Sequence, residues 1–216
     1  MQNTNTTLMN TTLTEHATKE IIHKAISKSM SYAQFRELVS KLAADNGTTG
    51  PEQTEDHKHY TLLNDKRMRR WDKTLKFSEE DVKQLIDYQQ KVYWLVITES
   101  WCGDSAPSLP VINKIATYND GIDLGIVLRN EHPKLMDAFL TNGKMSIPKL
   151  IMIDKDTSDV LGTWGPLPTK ATVIANEYKQ LHGSLSPEFK EDLQQWFNKD
   201  KGQNILADLQ QLLTLK

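Results

Sequence analysis

The stretch TESWCGDSAPSLP, residues 98–110, decides the fold and contains Cys102, the one cysteine of the chain. It follows VYWLVI, residues 92–97, a short apolar run rich in β-branched and aromatic residues that predicts a buried central strand. Residues 106–118 then favour a helix, so the cysteine lies in a loop that enters a helix N-terminus. Unpaired backbone N–H groups at that terminus favour a thiolate. We expect them to lower the pKa of Cys102, against the opposing charge of Asp104.

The rest of the core is a predicted alternation of strands and helices. Two of the strands are joined as an antiparallel hairpin by the turn KDTS, residues 155–158. The predicted elements after the first helix are a strand at 122–128, a helix at 132–140, strands at 147–154 and 159–165, and a helix at 169–181. This order predicts an α/β fold, in which a central mixed β-sheet is flanked by helices.

Both sides of this core are predicted to be helical. Ser31 and Gln34 form a capping box, and further helices are predicted to begin at Thr54, Ser78 and Ser186. The predicted division of the chain is a disordered tail (1–14), an N-terminal helical extension (15–90), a core domain (91–182) and a C-terminal helical extension (183–216). The extensions carry aromatic side chains at helical spacing, so we expect them to pack on the core and narrow the approach to the cysteine.

Charge and hydropathy narrow the classes of partner. The 26 basic and 28 acidic residues give a formal charge of -2, so a general basic surface for nucleic acid is not expected. No apolar run approaches the ~20 residues that span a bilayer, and residues 1–14 lack the basic and apolar segments of a signal peptide. A single cysteine agrees with a reducing compartment, and we predict a cytoplasmic protein without membrane contact.

The other candidate sites have ordinary explanations. His57 and His59 lie two positions apart on a helix and point to different faces, so we expect solvated side chains and no metal. The basic stretch KRMRRWDKTLK, residues 66–76, is expected to be a charged outer face with Trp71 packed inward. The sequence has no phosphate-binding loop, dinucleotide fingerprint or metal-ligand cluster, and we predict no cofactor.

With Trp-Cys-Gly after its first core strand, the sequence resembles the thioredoxin family over about residues 91–181. Pro110 lies eight residues after Cys102, where thioredoxins have the proline that kinks the active-site helix. Ser-Ile-Pro at 146–148 stands where they have a cis-proline facing the thiol, and Asn-Glu-His-Pro at 130–133 fits the segment that opens their middle helix. The whole chain looks most like an uncharacterised group of bacterial thioredoxin-like proteins with helical extensions on both sides.

The resemblance implies that Cys102 is a nucleophile in thiol–disulfide chemistry, toward a protein or a low-molecular-weight thiol. Ile147 and Pro148 would hold the backbone of the partner beside the sulfur, as the family does with its substrates. The other residues predicted to shape this substrate-binding site are Trp101, Gly103 and Asp104. The sequence leaves the oligomeric state open.

Three departures from the family pattern limit the chemistry. Ser105 occupies the place of the second, resolving cysteine, so disulfide reduction by a dithiol within one chain is excluded. The buried acid that the family has six residues before the active cysteine is Val96 here, and the lysine that packs against this acid is Ile126. We therefore predict no turnover as a dithiol reductase. In the predicted catalytic pair, Ser105 donates a hydrogen bond to the thiolate of Cys102.

Three functions remain for a lone sulfur in this fold. Cys102 could form a mixed disulfide with a partner, or it could be oxidised to a sulfenic acid and reduced by an external thiol. Alternatively, the fold could be a non-catalytic module that binds peptides or proteins, with a vestigial sulfur. A cluster-binding monothiol glutaredoxin is disfavoured, because its lysine before the cysteine and its Gly-Gly after the hairpin are both missing. We favour chemistry at the single thiol over the binding module.

Overall fold

The computed structural model describes the backbone of residues 3–214 and the side chains of residues 15–214. Helices dominate this part of the chain, and four strands lie in its middle. In chain order the elements are α1 (Asn3–Ile26), α2 (Tyr32–Ala44), α3 (Glu55–Thr74), α4 (Glu79–Asp87), β1 (Val92–Thr98), α5 (Ser105–Thr117), β2 (Ile122–Leu128), a 3-10 helix (Arg129–Glu131), α6 (Pro133–Ala138), β3 (Lys149–Asp154), β4 (Val160–Trp164), α7 (Thr169–His182), α8 (Pro187–Asp200) and α9 (Gln203–Leu213).

The four strands form one sheet in the order β2-β1-β3-β4. β1 runs parallel to β2 and antiparallel to β3, and β4 pairs antiparallel with β3 across the predicted hairpin. All residues of β1 except Tyr93 are buried, because helices cover both faces of the sheet. The prediction of an α/β fold with a mixed sheet is confirmed. Thr98, the last residue of β1, is wholly buried, so the loop that follows begins inside the molecule.

Side-chain caps begin several helices at the predicted residues. Ser31 and Gln34 form the capping box at the start of α2. Thr54, Ser78 and Ser186 accept backbone hydrogen bonds at the starts of α3, α4 and α8. Each such bond satisfies a backbone N–H group that has no partner within the helix, and it stabilises the protein by about 1 kcal/mol.

The helices bury two apolar clusters, one on each face of the sheet. The larger cluster is covered by α2 to α5 and α7 to α9, and it contains the wholly buried Trp94 of β1. The smaller cluster is covered by α1 and α6, and it contains Cys102 and Ile147 together with Ile151 of β3. The cysteine therefore lies in an apolar environment at one edge of the sheet.

The helical extensions pack on the core, as their aromatic side chains predict. Phe35 of α2, Trp71 of α3 and Phe197 of α8 are at most 7% exposed and belong to the larger cluster. Met30, just before α2, exchanges two backbone hydrogen bonds of 2.8 Å with Ile126 of β2. This bridge covers the outer edge of β2, which would otherwise be open to pairing with another strand.

The N-terminal end of α1 overlaps the segment that the composition predicts to be a disordered tail, residues 1–14. Residues 1 and 2 lie outside the described backbone, and the described side chains begin at Glu15. The division of the chain into a tail, two extensions and a core domain stays a prediction.

Candidate active site

The loop between β1 and α5 holds Cys102, two residues before the N-cap of the helix, Asp104. The backbone N–H of Cys102 donates to the carbonyl of Glu99 (3.1 Å), and the N–H of Ser105 donates to the carbonyl of Cys102 (3.2 Å). These bonds close two successive tight turns that lead into α5. Pro110 lies inside α5, and every residue of the helix from Ser105 to Pro110 is buried. The cysteine is thus fixed by backbone bonds on both sides.

The loop that precedes β3 covers the thiol. The Sγ atom of Cys102 donates a hydrogen bond to the carbonyl oxygen of Ile147 over 3.3 Å, and Cys102 is only 7% exposed. The peptide bond between Ile147 and Pro148 is cis. Ile147 therefore lies directly against the sulfur, at the point where the sequence predicts the backbone of a partner to bind.

Burial controls the acidity of Cys102. Removal from water is the main reason why the pKa of Cys102 is raised to about 12, and the charge of Asp104 is the second. Hydrogen bonds from the Ser105 hydroxyl and from the N–H groups of Ser105 and Asp104 lower the pKa but are outweighed. The expectation of a lowered pKa is wrong. Helix N–H groups reach the sulfur from one side, whereas the surrounding side chains keep water from most of it.

Asp104, the N-cap residue of α5, has an unusual carboxyl. Burial raises its pKa to about 6, although Lys190, Arg67 and Lys179 each lower it. The Asp104 side chain makes no capping bond to the helix. The carboxyl therefore changes charge near neutral pH, and the electric field at the neighbouring sulfur changes with it.

Ser105 occupies the place of the second thiol, and its hydroxyl is hydrogen-bonded to another hydroxyl. Its Oγ lies 2.7 Å from Oγ1 of Thr98, and both residues are buried. The sequence predicts that the proton relay is missing at Val96 and Ile126. These residues are register partners on β1 and β2, and both are wholly buried in the larger cluster. These two positions therefore hold apolar side chains where the resemblance implies charged groups.

A cluster of buried hydroxyl groups ties the loop to the N-terminal helices, and sequence reasoning missed it. This hydroxyl cluster consists of Thr48, Thr49, Thr61 and Ser100, whose Oγ lies 3.2, 3.1 and 2.8 Å from the three threonine hydroxyls, respectively. The Asn64 amide also donates to the Ser100 carbonyl over 2.9 Å. Because the hydroxyls are satisfied only while helix and loop are in contact, the cluster fixes the residue two positions before the cysteine.

Aromatic and cationic side chains cover Trp101. The His57 ring stacks on Trp101 with ring centres 4.5 Å apart and an angle of 8° between the planes. The guanidinium carbon of Arg129 lies 4.9 Å from the centre of the Trp101 ring. His57 is therefore half-buried against Trp101, where the sequence predicts a solvated side chain. The ring finds an aromatic partner that is far away in sequence and is brought close only by the fold.

Gly103 is covered from both helical extensions. Gln194 of α8 donates from Nε2 to the Gly103 carbonyl over 3.3 Å. On the other side, a Cβ atom at Gly103 would lie 3.9 Å from Nη1 of Arg67 in α3. Burial lowers the pKa of Arg67, and the charge of Asp104 opposes this effect. Side chains from both extensions therefore lie against the loop and restrict access to it.

The structure places the two predicted parts of the site in contact, since the Cys102 thiol meets the loop of Ile147 and Pro148. The catalytic and binding roles of the predicted residues stay predictions. Among the residues whose side chains are described, no group of three or more His, Cys, Asp and Glu could hold a metal ion. No helix within residues 3–214 is long and apolar enough to cross a membrane.

Comparison with known proteins identifies a family and solved structures with a similar fold. The sequence model of a family described as thioredoxin matches residues 50–179, from the loop before α3 into α7. No curated protein matches the sequence significantly. A protein of unknown function from Pseudomonas aeruginosa is 16% identical with a TM-score of 0.56, over 70% of this chain and 84% of that one. An HIV epitope-scaffold is 12% identical with a TM-score of 0.60, over 88% of this chain and 96% of that one. At these identities the likeness concerns the fold alone.

Proposed function

The chain belongs to this thioredoxin family, and on that premise we propose that it carries out thiol–disulfide exchange through the single nucleophile Cys102. The main support is the contact of the chain's only thiol, at the start of α5, with the carbonyl of Ile147. A disulfide substrate that took the place of the Ile147 carbonyl would contact the sulfur of Cys102 and lie along the loop of Ile147 and Pro148. The partner is a protein or a low-molecular-weight thiol compound.

The exchange uses one sulfur from this chain. The Cys102 thiolate attacks one sulfur of an external disulfide, the S–S bond breaks, and the other half leaves as a thiolate that takes up a proton. Cys102 then holds the first half as a mixed disulfide. An external thiol must attack this mixed disulfide to free the cysteine, because Ser105 has no sulfur. The apolar Val96 and Ile126 offer no proton relay, which supports the exclusion of a dithiol reductase.

The reactivity of the closed site is limited by how rarely Cys102 loses its proton. With a pKa of about 12, only a minute fraction of Cys102 is thiolate at neutral pH. Opening of the contact with Ile147 would admit water to the sulfur, and Ser105 would then donate its hydroxyl to the thiolate. Reversible oxidation is the related reaction. The thiolate attacks one oxygen of a peroxide, the O–O bond breaks, water or an alcohol leaves after protonation, and external thiols reduce the sulfenic acid.

The covered thiol also favours a second candidate function, a non-catalytic module that binds peptides or proteins. Cys102 is 7% exposed and its pKa is raised, as for a cysteine that fills space in an apolar interior. In this function Trp101, Ile147 and Pro148 would contact the partner without covalent chemistry.

Two finer assignments are part of the same proposal. A reducing compartment such as the cytoplasm would keep the single thiol available for exchange. Membership of a bacterial group with the single-cysteine motif WCGDS rests on the motif itself, residues 101–105.

The two functions differ in whether native Cys102 forms a covalent bond. The folded protein is incubated with oxidised glutathione at mildly alkaline pH, and intact mass with peptide mapping measures the glutathione bound at Cys102. Exchange predicts one adduct per chain, released again by reduced glutathione, and none in Cys102→Ser. If the folded chain stays unmodified while the urea-unfolded chain reacts, the binding module replaces the proposal.

A further inference from the structure

Lys149 is a largely buried lysine beside the candidate site. It is the first residue of β3 and directly follows Pro148. Lys149 is 6% exposed as a whole residue, and its Nζ donates one hydrogen bond, of 3.1 Å and only partly buried, to Oγ1 of Thr141. Its aliphatic stem is therefore in the interior while the ammonium lies near the surface. Lysine is rarely buried to this degree unless it is paired with an anion.

The Lys149 ammonium has no carboxylate partner among the side chains of residues 15–214. None of the ion pairs in that part of the chain involves it. Burial lowers its pKa, and no neighbouring negative charge opposes this effect. An ammonium group has three N–H donors, of which Thr141 accepts one. Partial removal of such a charge from water is unfavourable until an anion supplies the missing acceptors.

The topology brings Lys149 to the same edge of the sheet as the sulfur. β1 and β3 are antiparallel, and Ile97 near the end of β1 is the register partner of Lys149 at the start of β3. Cys102 follows β1 and contacts Ile147, two residues before Lys149. Two successive peptide bonds span at most about 7 Å, so the backbone of Lys149 lies close to Ile147 and to the thiol that Ile147 contacts.

A second cation lies on the other side of the loop. Arg129 follows β2, which is parallel to β1, and its guanidinium contacts the ring of Trp101. Arg129 also takes part in none of the ion pairs within residues 15–214. Glu52 lines the same small cleft as Arg129, however, so the need for an external anion is clearer at Lys149. The two cations flank the cysteine loop at one edge of the sheet.

On the basis of the proposed exchange reaction, we propose that Lys149 is an anion subsite that selects small disulfides carrying a carboxylate near the sulfur. A small molecule is favoured because Trp101 and Gly103 are covered by side chains from the extensions, which restrict the approach to Cys102. In the mixed disulfide, the carboxylate of the bound half accepts hydrogen bonds from the Lys149 ammonium. No electrons move at Lys149, whose part is to position the substrate.

Three disulfides of similar size and different charge test this subsite. Dithiodipropionate is anionic, bis(hydroxyethyl) disulfide is neutral and cystamine is cationic. The rate of mixed-disulfide formation at Cys102 is measured for each by mass spectrometry, and is divided by the rate for a free peptide of residues 98–110. This division removes differences in the reactivity of the disulfides themselves. The anionic compound should then be favoured over the cationic one by about tenfold, as for a partly exposed charge-assisted hydrogen bond.

Matched variants assign the preference to one lysine. Lys149→Met should abolish the preference, and Lys149→Arg should keep most of it. Lys144→Met removes the same charge from an exposed position of the loop before β3 and should leave the preference unchanged. Should Lys149→Met fail to fold, the wild type still gives a readout, because the preference must shrink as salt is added.

The outcomes separate this inference from the proposed function. If no adduct forms with any of the three disulfides, both the proposed exchange and the anion subsite are overturned. Adducts that form without a charge preference leave exchange at Cys102 standing and overturn the anion subsite. A preference that persists in Lys149→Met, or that salt does not reduce, also overturns it.

Discussion

The thiol of Cys102 donates a hydrogen bond to the carbonyl oxygen of Ile147, a contact of 3.3 Å that only the protonated sulfur can make. It joins the start of α5 to the loop before β3. Burial at the same place raises the pKa of the thiol to about 12. The closed site therefore favours an uncharged sulfur, and reactivity depends on how this contact opens.

The raised pKa of Cys102 predicts a loss of stability at alkaline pH. The folded thiol has a pKa of about 12 and the unfolded thiol one near 9.0, so the folded chain holds its proton more tightly. The stabilisation that the protonated thiol gives to the folded chain is fully present below pH 9, and it is lost as the pH rises through 12. From about pH 9 to 10, wild type should lose about 1 kcal/mol more free energy of unfolding than Cys102→Ala. Urea unfolding measures both, and equal losses would show that the pKa is not raised.

Asp104→Asn should speed the alkylation of Cys102 severalfold above neutral pH. The negative charge of Asp104 is the second cause of the raised thiol pKa, and asparagine removes it without the loss of a capping bond. Because the pKa of Asp104 is about 6, the gain should shrink as the pH falls through that value. Iodoacetamide rates measured across pH test this.

Asp192→Asn, at an exposed position of α8, is the control for a general change of charge. If Asp104→Asn reacts no faster than this control, Asp104 has no influence on the sulfur.

Ser105→Cys should give a chain that forms an internal disulfide but remains a poor reductase. Position 105 is the place of the resolving cysteine in the family pattern, so a thiol there can resolve a mixed disulfide at Cys102. Val96 still provides no carboxylate for proton transfer, which keeps the reaction slow. Insulin reduction with dithiothreitol should be low in the variant and lower in wild type. Robust activity of the wild-type protein would show that the resolving thiol comes from elsewhere.

Thr61→Val should loosen the loop that carries Cys102. Thr61 donates to or accepts from the hydroxyls of Thr48 and Ser100, so its removal leaves buried polar groups unpaired. We expect a loss of about 1–3 kcal/mol in the free energy of unfolding and faster alkylation of Cys102.

Thr117→Val is the matched control, since that hydroxyl bonds an exposed helix carbonyl of Lys114. If Thr61→Val is less stable but Cys102 reacts at the wild-type rate, the hydroxyl cluster stabilises the fold without controlling the thiol.

The strands and helix caps of this chain are readable from sequence because their causes are local. The apolar run that forms β1 and the capping boxes at Ser31 and Ser78 depend on neighbouring residues. At Ser78 the sequence predicts only the start of the helix, and the structure adds Asp81 as the second member of the box. The contact between Cys102 and Ile147 followed from a resemblance to a family, not from any pattern in the sequence.

The pKa of Cys102 and the side chains around it depend on the tertiary structure. The helix N-terminus next to the sulfur is visible in the sequence, but the burial that outweighs it comes from α1, α6 and the loop of Ile147. His57 and Gln194 reach the loop from helices far away in the chain. A buried lysine after Pro148 carries a weak signal, since this charged residue directly precedes the apolar run LIMI, residues 150–153.

The central claim, that Cys102 reacts from the folded state, is tested most directly by the urea dependence of mixed-disulfide formation with oxidised glutathione. Local opening of the contact between Cys102 and Ile147 exposes little surface, so the rate should be nearly independent of urea until global unfolding begins. The rate should also rise about tenfold per pH unit between neutral pH and pH 9, because the folded thiol has a pKa of about 12. A rate that follows the global unfolding equilibrium at every urea concentration would contradict the claim, since the thiol would then react only when the chain unfolds.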